Sequence, residues 1–202
     1  MNNATNDFPP LMKKLDVGAA ARLSTRDVQS VSAHPISIIV DNVRSIYNVG
    51  SVFRTSDAAR IEHLYLTGYT GTPNHPDLHK TALGAQDVIP WSSHDDAGEV
   101  IAALRDRGYT LAVLEITDTP THPSELDAPA FPLALVIGNE VDGVDDRWVE
   151  SAEVAIEIPQ YGTKQSLNVS VAYGIAIMQI VRRYRRLHGL PARPEEANSV
   201  DG

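Results

Sequence analysis

The 202-residue chain contains no cysteine, which excludes a disulfide framework and any thiolate-ligated metal centre. It has no apolar run long enough to span a bilayer, and its first residues lack the basic-then-apolar order of a secretory signal. A soluble, cytoplasmic protein with no membrane partner is expected. No Gly-x-Gly-x-x-Gly or Walker-type run occurs, so a nucleotide ligand would have to be held without a glycine-rich phosphate loop. Positive charge is also scarce: 17 Lys and Arg stand against 26 Asp and Glu, a net charge of -9, which argues against a generic nucleic-acid coat. With 43% hydrophobic residues the chain can fill one core well, and a single domain is expected.

The distribution of charge is more informative than its sum. Residues 1–94 carry eight basic and eight acidic side chains, 95–157 carry three against fifteen, and 158–194 carry six basic and no acidic ones. The cationic section permits a local phosphate-binding face, although such a run is more often a solvated surface.

Residues 1–34 read as a polar N-terminal arm in which Lys13, Lys14, Arg22 and Arg26 could reach an RNA. Short apolar runs at 35–40, 62–68, 88–91, 110–116, 133–137 and 154–158 read as buried strands. A helical pattern follows the first of them, and 95–107 reads as an amphipathic helix with Val100, Ile101 and Leu104 inward and Gly108 as its stop. The rhythm is that of an α/β protein with a parallel sheet flanked by helices, in which ligands sit beyond the carboxyl ends of the strands, here near Leu114 and the two residues after it. His75 and His79 are four apart, but Pro76 disfavours a helix there and nothing completes a ligand set, so no metal is expected. Residues 189–202 read as a disordered tail, leaving 35–188 as the folded domain.

Three stretches carry candidate chemistry. After the first strand, Asn48 is a good N-cap, Val49, Val52 and Phe53 share one helical face, and Ser51, Arg54 and Ala58 share another. An arginine on a helix is by default solvated or ion-paired. The strand ending at Gly138 brings backbone close to a ligand, with Glu140 two residues beyond. From Ser166 a helix begins that is small or apolar on nearly every side and is therefore expected to be buried all round. Ser166, Asn168 and Ser170 crowd its first turn, where free backbone N–H groups favour a polar or anionic ligand. On local physics the same residues read equally well as a cap and two solvated side chains.

Taken together, the stretches resemble the signature motifs of the SpoU/TrmH family of RNA 2′-O-ribose methyltransferases, in the SPOUT class. Asn48-x-Gly50-x-x-x-Arg54 resembles the first motif, Ile137-Gly138-Asn139-Glu140-x-x-Gly143 the second, and the run from Ile158 to Ala172 (Ile-Pro-Gln-Tyr-Gly-Thr-Lys-Gln-Ser-Leu-Asn-Val-Ser-Val-Ala) the third. They occur in the family's order.

The resemblance implies S-adenosylmethionine as methyl donor, an obligate homodimer and a C-terminal deep trefoil knot, none of which periodicity or spacing reveals. It places the donor in a backbone-lined pocket at Leu114, Gly138, Ile158 and Leu167. It gathers Asn48, Arg54, Glu140, Ser166 and Asn168 around the target ribose, with Arg54 reaching across the dimer interface. RNA contacts are expected from Lys80, Lys164, Arg182 and Arg183, the last two in a cluster that the helix dipole would favour in any case. Transfer RNA is the first expected substrate and ribosomal RNA the second. Two other classes remain: a non-catalytic RNA- or nucleotide-binding module with the same fold, and an α/β enzyme acting on a small nucleotide.

Overall fold

The first strand, β1 (His34–Asp41), lies at the centre of the sheet because almost every one of its side chains is buried. In the computed structural model, which describes residues 31–192, it pairs in parallel with β2 (Ile61–Thr67) on one side and β5 (Leu133–Ile137) on the other, Val40 facing Leu66 and Ile137. With β3 (Trp91–His94), β4 (Thr110–Leu114) and β6 (Val154–Ile156) the order is β3-β2-β1-β5-β4-β6, and every pairing is parallel. All six carboxyl ends therefore lie along one edge. Chain connections depart in opposite directions from β1 and β5, so the crevice between those two ends is a switch point where such sheets bind ligands.

Helices α1 (Ile46–Ala59) and α5 (Val169–Leu187) cover one face. Val49, Val52 and Phe53 of α1 and Tyr173, Ile177 and Ile180 of α5 pack there with Ile36, Ile38, Leu64 and Leu135 of the strands. A buried hydrogen bond of 2.7 Å between Ser56 Oγ and Tyr173 Oη ties the two helices, and burial pushes the Tyr173 phenol well above its ordinary pKa. Helices α3 (Ala97–Asp106) and α4 (Asp146–Ser151) cover the other face, with Val100, Ile101, Leu104 and Trp148 against Ile39, Val113 and Val136. Each such large side chain stabilises the fold by about 1.5–3 kcal/mol. A short helix, α2 (His79–Ala82), packs on α1; a Cβ on Gly50 would lie 2.7 Å from the Leu78 carbonyl oxygen, so the glycine permits that approach.

Four expectations need correction. Residues 88–91 are not a strand: Val88 and Ile89 donate back to the Ala85 carbonyl in a tight turn, Pro90 has no N–H to offer, and β3 begins only at Trp91. The N-cap of α1 is Ser45, whose hydroxyl accepts from Asn48 N at 3.4 Å, so Asn48 sits inside the first turn. The last helix starts at Val169 with Asn168 as its cap, and Ser166 precedes it. Nor is that helix buried all round, since Val171, Ile175 and Met178 are exposed. The arm lysines and arginines and most of the expected tail lie outside the described residues.

Candidate active site

The loop after β5 is built around Asn139. Its backbone pairs in both directions with Gly143, at 2.9 and 3.0 Å, and its side-chain oxygen accepts from Val141 N at 2.7 Å and Asp142 N at 3.1 Å. Gly138 is required because a Cβ there would enter the Gly143 backbone. Gly143 has φ 74 and faces the Glu115 carboxylate, which accepts from Val144 N at 3.0 Å and from Ile116 N at 2.9 Å. The ends of β4 and β5 are thereby locked to each other.

This turn aims Glu140 at the start of α1. One carboxylate oxygen accepts from Arg44 N at 2.9 Å, the other from Ser45 N at 3.0 Å and from Asn48 Nδ2 at 2.8 Å. Partial burial works to raise the Glu140 pKa, but those donors outweigh it and hold the carboxyl below its ordinary value. Asn48 then uses its remaining oxygen to accept from Asn168 Nδ2 at 3.1 Å. Asn168 in turn accepts from Ser170 N, Val171 N and the Ser170 hydroxyl at 2.9, 3.3 and 2.7 Å. Three residues from three separate motifs therefore form one continuous chain of hydrogen bonds between two helix N-termini.

Beside that chain lies a cavity of about 570 Å³, of the size that encloses a small-molecule ligand. Leu114, Gly138, Ile158 and Leu167, the four expected donor contacts, all line it, as do Glu140 and Ser166. Its walls include Ile137, Ile156 and Ala172, and the apolar side chains of Ile116 and Val141 stand exposed on its lining. Apolar side chains suit a purine, and the polar groups beside them, among them the carboxylates of Glu115 and Glu157, suit ribose hydroxyls and a cationic sulfonium, so the residues fit S-adenosylmethionine.

The remaining expected residues are dispersed. Arg54 is exposed on α1 and makes no side-chain hydrogen bond or ion pair among the described residues. Lys80 is exposed and pairs with Asp77 at 2.6 Å, and Lys164 is exposed in the segment that lines the cavity through Gln165 and Ser166. Arg182 is exposed, whereas Arg183 is engaged by the Leu126 carbonyl at 2.5 Å and by Asp127 at 3.2 Å. The Arg182 to Arg186 cluster is therefore not a uniform cationic surface. Asn139 and Glu115 lay within stretches the sequence singled out, the second motif and the end of the fourth strand, but their structural roles were not expected; Glu115 directly follows β4 and Asn139 stands two residues beyond β5.

The SpoU rRNA Methylase family model matches residues 35–178. A tRNA (guanosine(18)-2′-O)-methyltransferase of Aquifex aeolicus is 30% identical over 170 residues, covering 84% of this chain and 79% of that protein. The crystal structure of the A. aeolicus TrmH/SpoU tRNA modifying enzyme superposes with a TM-score of 0.73 at 29% identity, covering 84% of this chain and 85% of that one. An AdoMet-bound rRNA methyltransferase from Sinorhizobium meliloti superposes with a TM-score of 0.68 at 26% identity, over 81% of this chain and 61% of that one. The three motifs, the all-parallel sheet and a family match that spans β1 to α5 lead to one conclusion: the chain belongs to the SpoU methylase family.

Proposed function

We propose that the protein transfers a methyl group from S-adenosylmethionine to a ribose 2′-hydroxyl of RNA, with transfer RNA as the first substrate and ribosomal RNA as the second. The observation that carries this reading is the Glu140–Asn48–Asn168 chain closing beside a cavity whose walls hold all four expected donor contacts. The donor supplies an activated sulfonium-bound methyl group; the protein must align it with the 2′-oxygen, whose proton departs to solvent water as the new O–C bond forms and the S–C bond breaks.

In this reading the carboxylate of Glu140 is positional. Its oxygens accept three donors and its pKa is held low, which makes it a poor proton acceptor but a firm anchor for α1. That anchor fixes the start of the helix that carries Arg54. A guanidinium has a pKa above about 12 and keeps its charge. Arg54 therefore binds the phosphate next to the target ribose and stabilises developing negative charge on the 2′-oxygen. Ser166 and Asn168 shape the wall between donor and ribose, and Lys80, Lys164 and Arg182 supply RNA-phosphate contacts.

The same reading makes the protein a cytoplasmic homodimer. Val171, Ile175 and Met178 form an exposed apolar stripe on α5 with spacings of four and three, the pattern of a helix face that meets another surface. Family membership supports a deep trefoil knot in the C-terminal part and a methyltransferase domain over residues 35–188. None of the described helices is long and apolar enough to cross a membrane. The test is incubation with methyl-labelled S-adenosylmethionine and transfer RNA, followed by alkaline digestion. Label in alkali-resistant dinucleotides supports ribose 2′-O transfer; label released in mononucleotides assigns the methyl to a base and refutes it.

A further inference from the structure

Tyr69 is an exposed aromatic that does not behave as a free surface side chain. The residue is 62% exposed, yet its backbone N–H donates to Asn42 Oδ1 at 3.3 Å and its hydroxyl accepts from Asn139 Nδ2 at 2.7 Å. Its neighbours are fixed as well. Gly68, with φ 62, turns against the Asn42 side chain and donates its N–H to the His94 carbonyl at 3.1 Å. Thr70 is buried, donating through its hydroxyl to the Val40 carbonyl at 2.9 Å and accepting from Val43 N at 3.0 Å. A phenol ring is thus pinned at both ends and held out into solvent.

Its position is specific. Asn139, which holds the hydroxyl, lines the donor cavity and immediately precedes Glu140. The second hydrogen of the Asn139 amide goes to the Asn42 carbonyl at 3.0 Å, so the phenol is an acceptor in this contact and its own proton remains available to a ligand. Arg44, exposed on the loop between β1 and α1, offers a cation on the same edge of the sheet.

We propose that Tyr69 is a stacking platform for an unpaired nucleobase of the RNA substrate, the base at or next to the ribose to be methylated. Single-stranded nucleotides are recognised by aromatic faces, and a ring whose torsions are already fixed loses little freedom when a base settles on it. The ring gives affinity without choosing the base, and the free phenol proton adds a donor that favours a base or phosphate oxygen at its edge. Tyr161 is a useful contrast: it is 96% exposed and its side chain has no hydrogen bond among the described residues, so it lacks this preorganisation.

The proposal rests on the methyltransferase reading, and the test separates the two. Steady-state transfer to transfer RNA is measured for the wild type, Tyr69→Phe, Tyr69→Trp and Tyr69→Leu, with calorimetric binding of S-adenosylmethionine to each. Loss of one stacked base weakens binding by roughly tenfold or more. The expected result is a KM for RNA raised by about that factor in Tyr69→Leu, a clearly smaller rise in Tyr69→Phe and Tyr69→Trp, which keep an aromatic face but lose the hydroxyl held by Asn139, and unchanged donor affinity throughout. An active wild type with an unaltered KM in Tyr69→Leu overturns the stacking role and leaves the function standing. Equal losses in Tyr69→Phe and Tyr69→Leu overturn it too, because they assign the effect to the Asn139 contact. A wild type that binds the donor but transfers nothing to RNA overturns both.

Discussion

Asn48 and Glu140, 92 positions apart, meet through a hydrogen bond of 2.8 Å that joins the first turn of α1 to the loop after β5. The carboxylate also receives two backbone N–H groups at that helix start, where a negative charge is favoured by the dipole. Replacing Glu140 by Gln turns one acceptor into a donor that faces another donor. We expect a loss of about 1 kcal/mol, below the roughly 1.5–3 kcal/mol of hydrogen bonds to charged groups because this carboxylate is exposed to solvent, and roughly tenfold slower transfer with donor affinity little changed.

The same carboxyl has a pH signature. Its folded pKa lies below the unfolded one, so its contribution to stability is present above the ordinary carboxylate range and is lost as pH falls through the folded value. Thermal unfolding followed from neutral pH downwards should show a steeper acid-side decline in the wild type than in Glu140→Gln. Parallel curves would mean that the three donors do not favour the ionised form.

His34 predicts a second pH effect in a higher window. Burial lowers its pKa, the Ala59 carbonyl opposes this, and the cations of Arg60 and Arg185 lower it further. The neutral ring donates from Nδ1 to Ala59 O at 2.8 Å and accepts at Nε2 from Arg185 at 3.2 Å. The unfolded chain takes up a proton near 6.5, before the folded one does, so stability is complete above that pH and declines as pH falls towards the lowered folded value. His34→Asn should be less stable at neutral pH and should lack this decline, as read by melting temperature between about pH 8 and about pH 5.

Glycine substitutions separate the cavity wall from ordinary loop. In Gly138→Ala the new Cβ meets the Gly143 backbone, which cannot swing aside as a flexible side chain would. The expected cost is about 1–3 kcal/mol, with loss of donor binding by calorimetry. Gly162, in the third motif, has nothing within 4 Å of an added Cβ, and Gly162→Ala should stay within about 0.5 kcal/mol of wild type. Equal effects at the two positions would contradict the packing described around Gly138.

Much of the sheet was legible because its central strands are short apolar runs, and the site motifs were legible because their glycines and polar residues sit directly after strand ends. The caps were not. Ser45 and Asn48 are both capable caps three residues apart, and the choice is made by Glu140, which no local window contains. Likewise Ser166 and Asn168 compete two residues apart, and Asn168 caps the helix while holding Asn48. Arg183 could not be told from Arg182 by sequence, since its partners lie 57 and 56 residues away.

The exposed stripe on α5 yields a prediction about assembly. In the proposed dimer this stripe is the interface, so a charge placed within it, as in Ile175→Glu, should leave a folded monomer with a lowered melting temperature, read by sedimentation. An unchanged mass would show that Val171, Ile175 and Met178 do not form the dimer interface.

The most direct test of the central claim is the rate of label transfer from S-adenosylmethionine to a ribose 2′-oxygen of RNA by the wild type and Arg54→Ala, alongside calorimetric donor affinity. An exposed guanidinium, unpaired among the described residues and outside the lining of the donor cavity, predicts that Arg54→Ala binds the donor as wild type does but transfers at least a hundredfold more slowly, the order of magnitude for loss of a charge-stabilising group. Transfer at the wild-type rate by Arg54→Ala, or donor binding with no ribose methylation by the wild type, would contradict it.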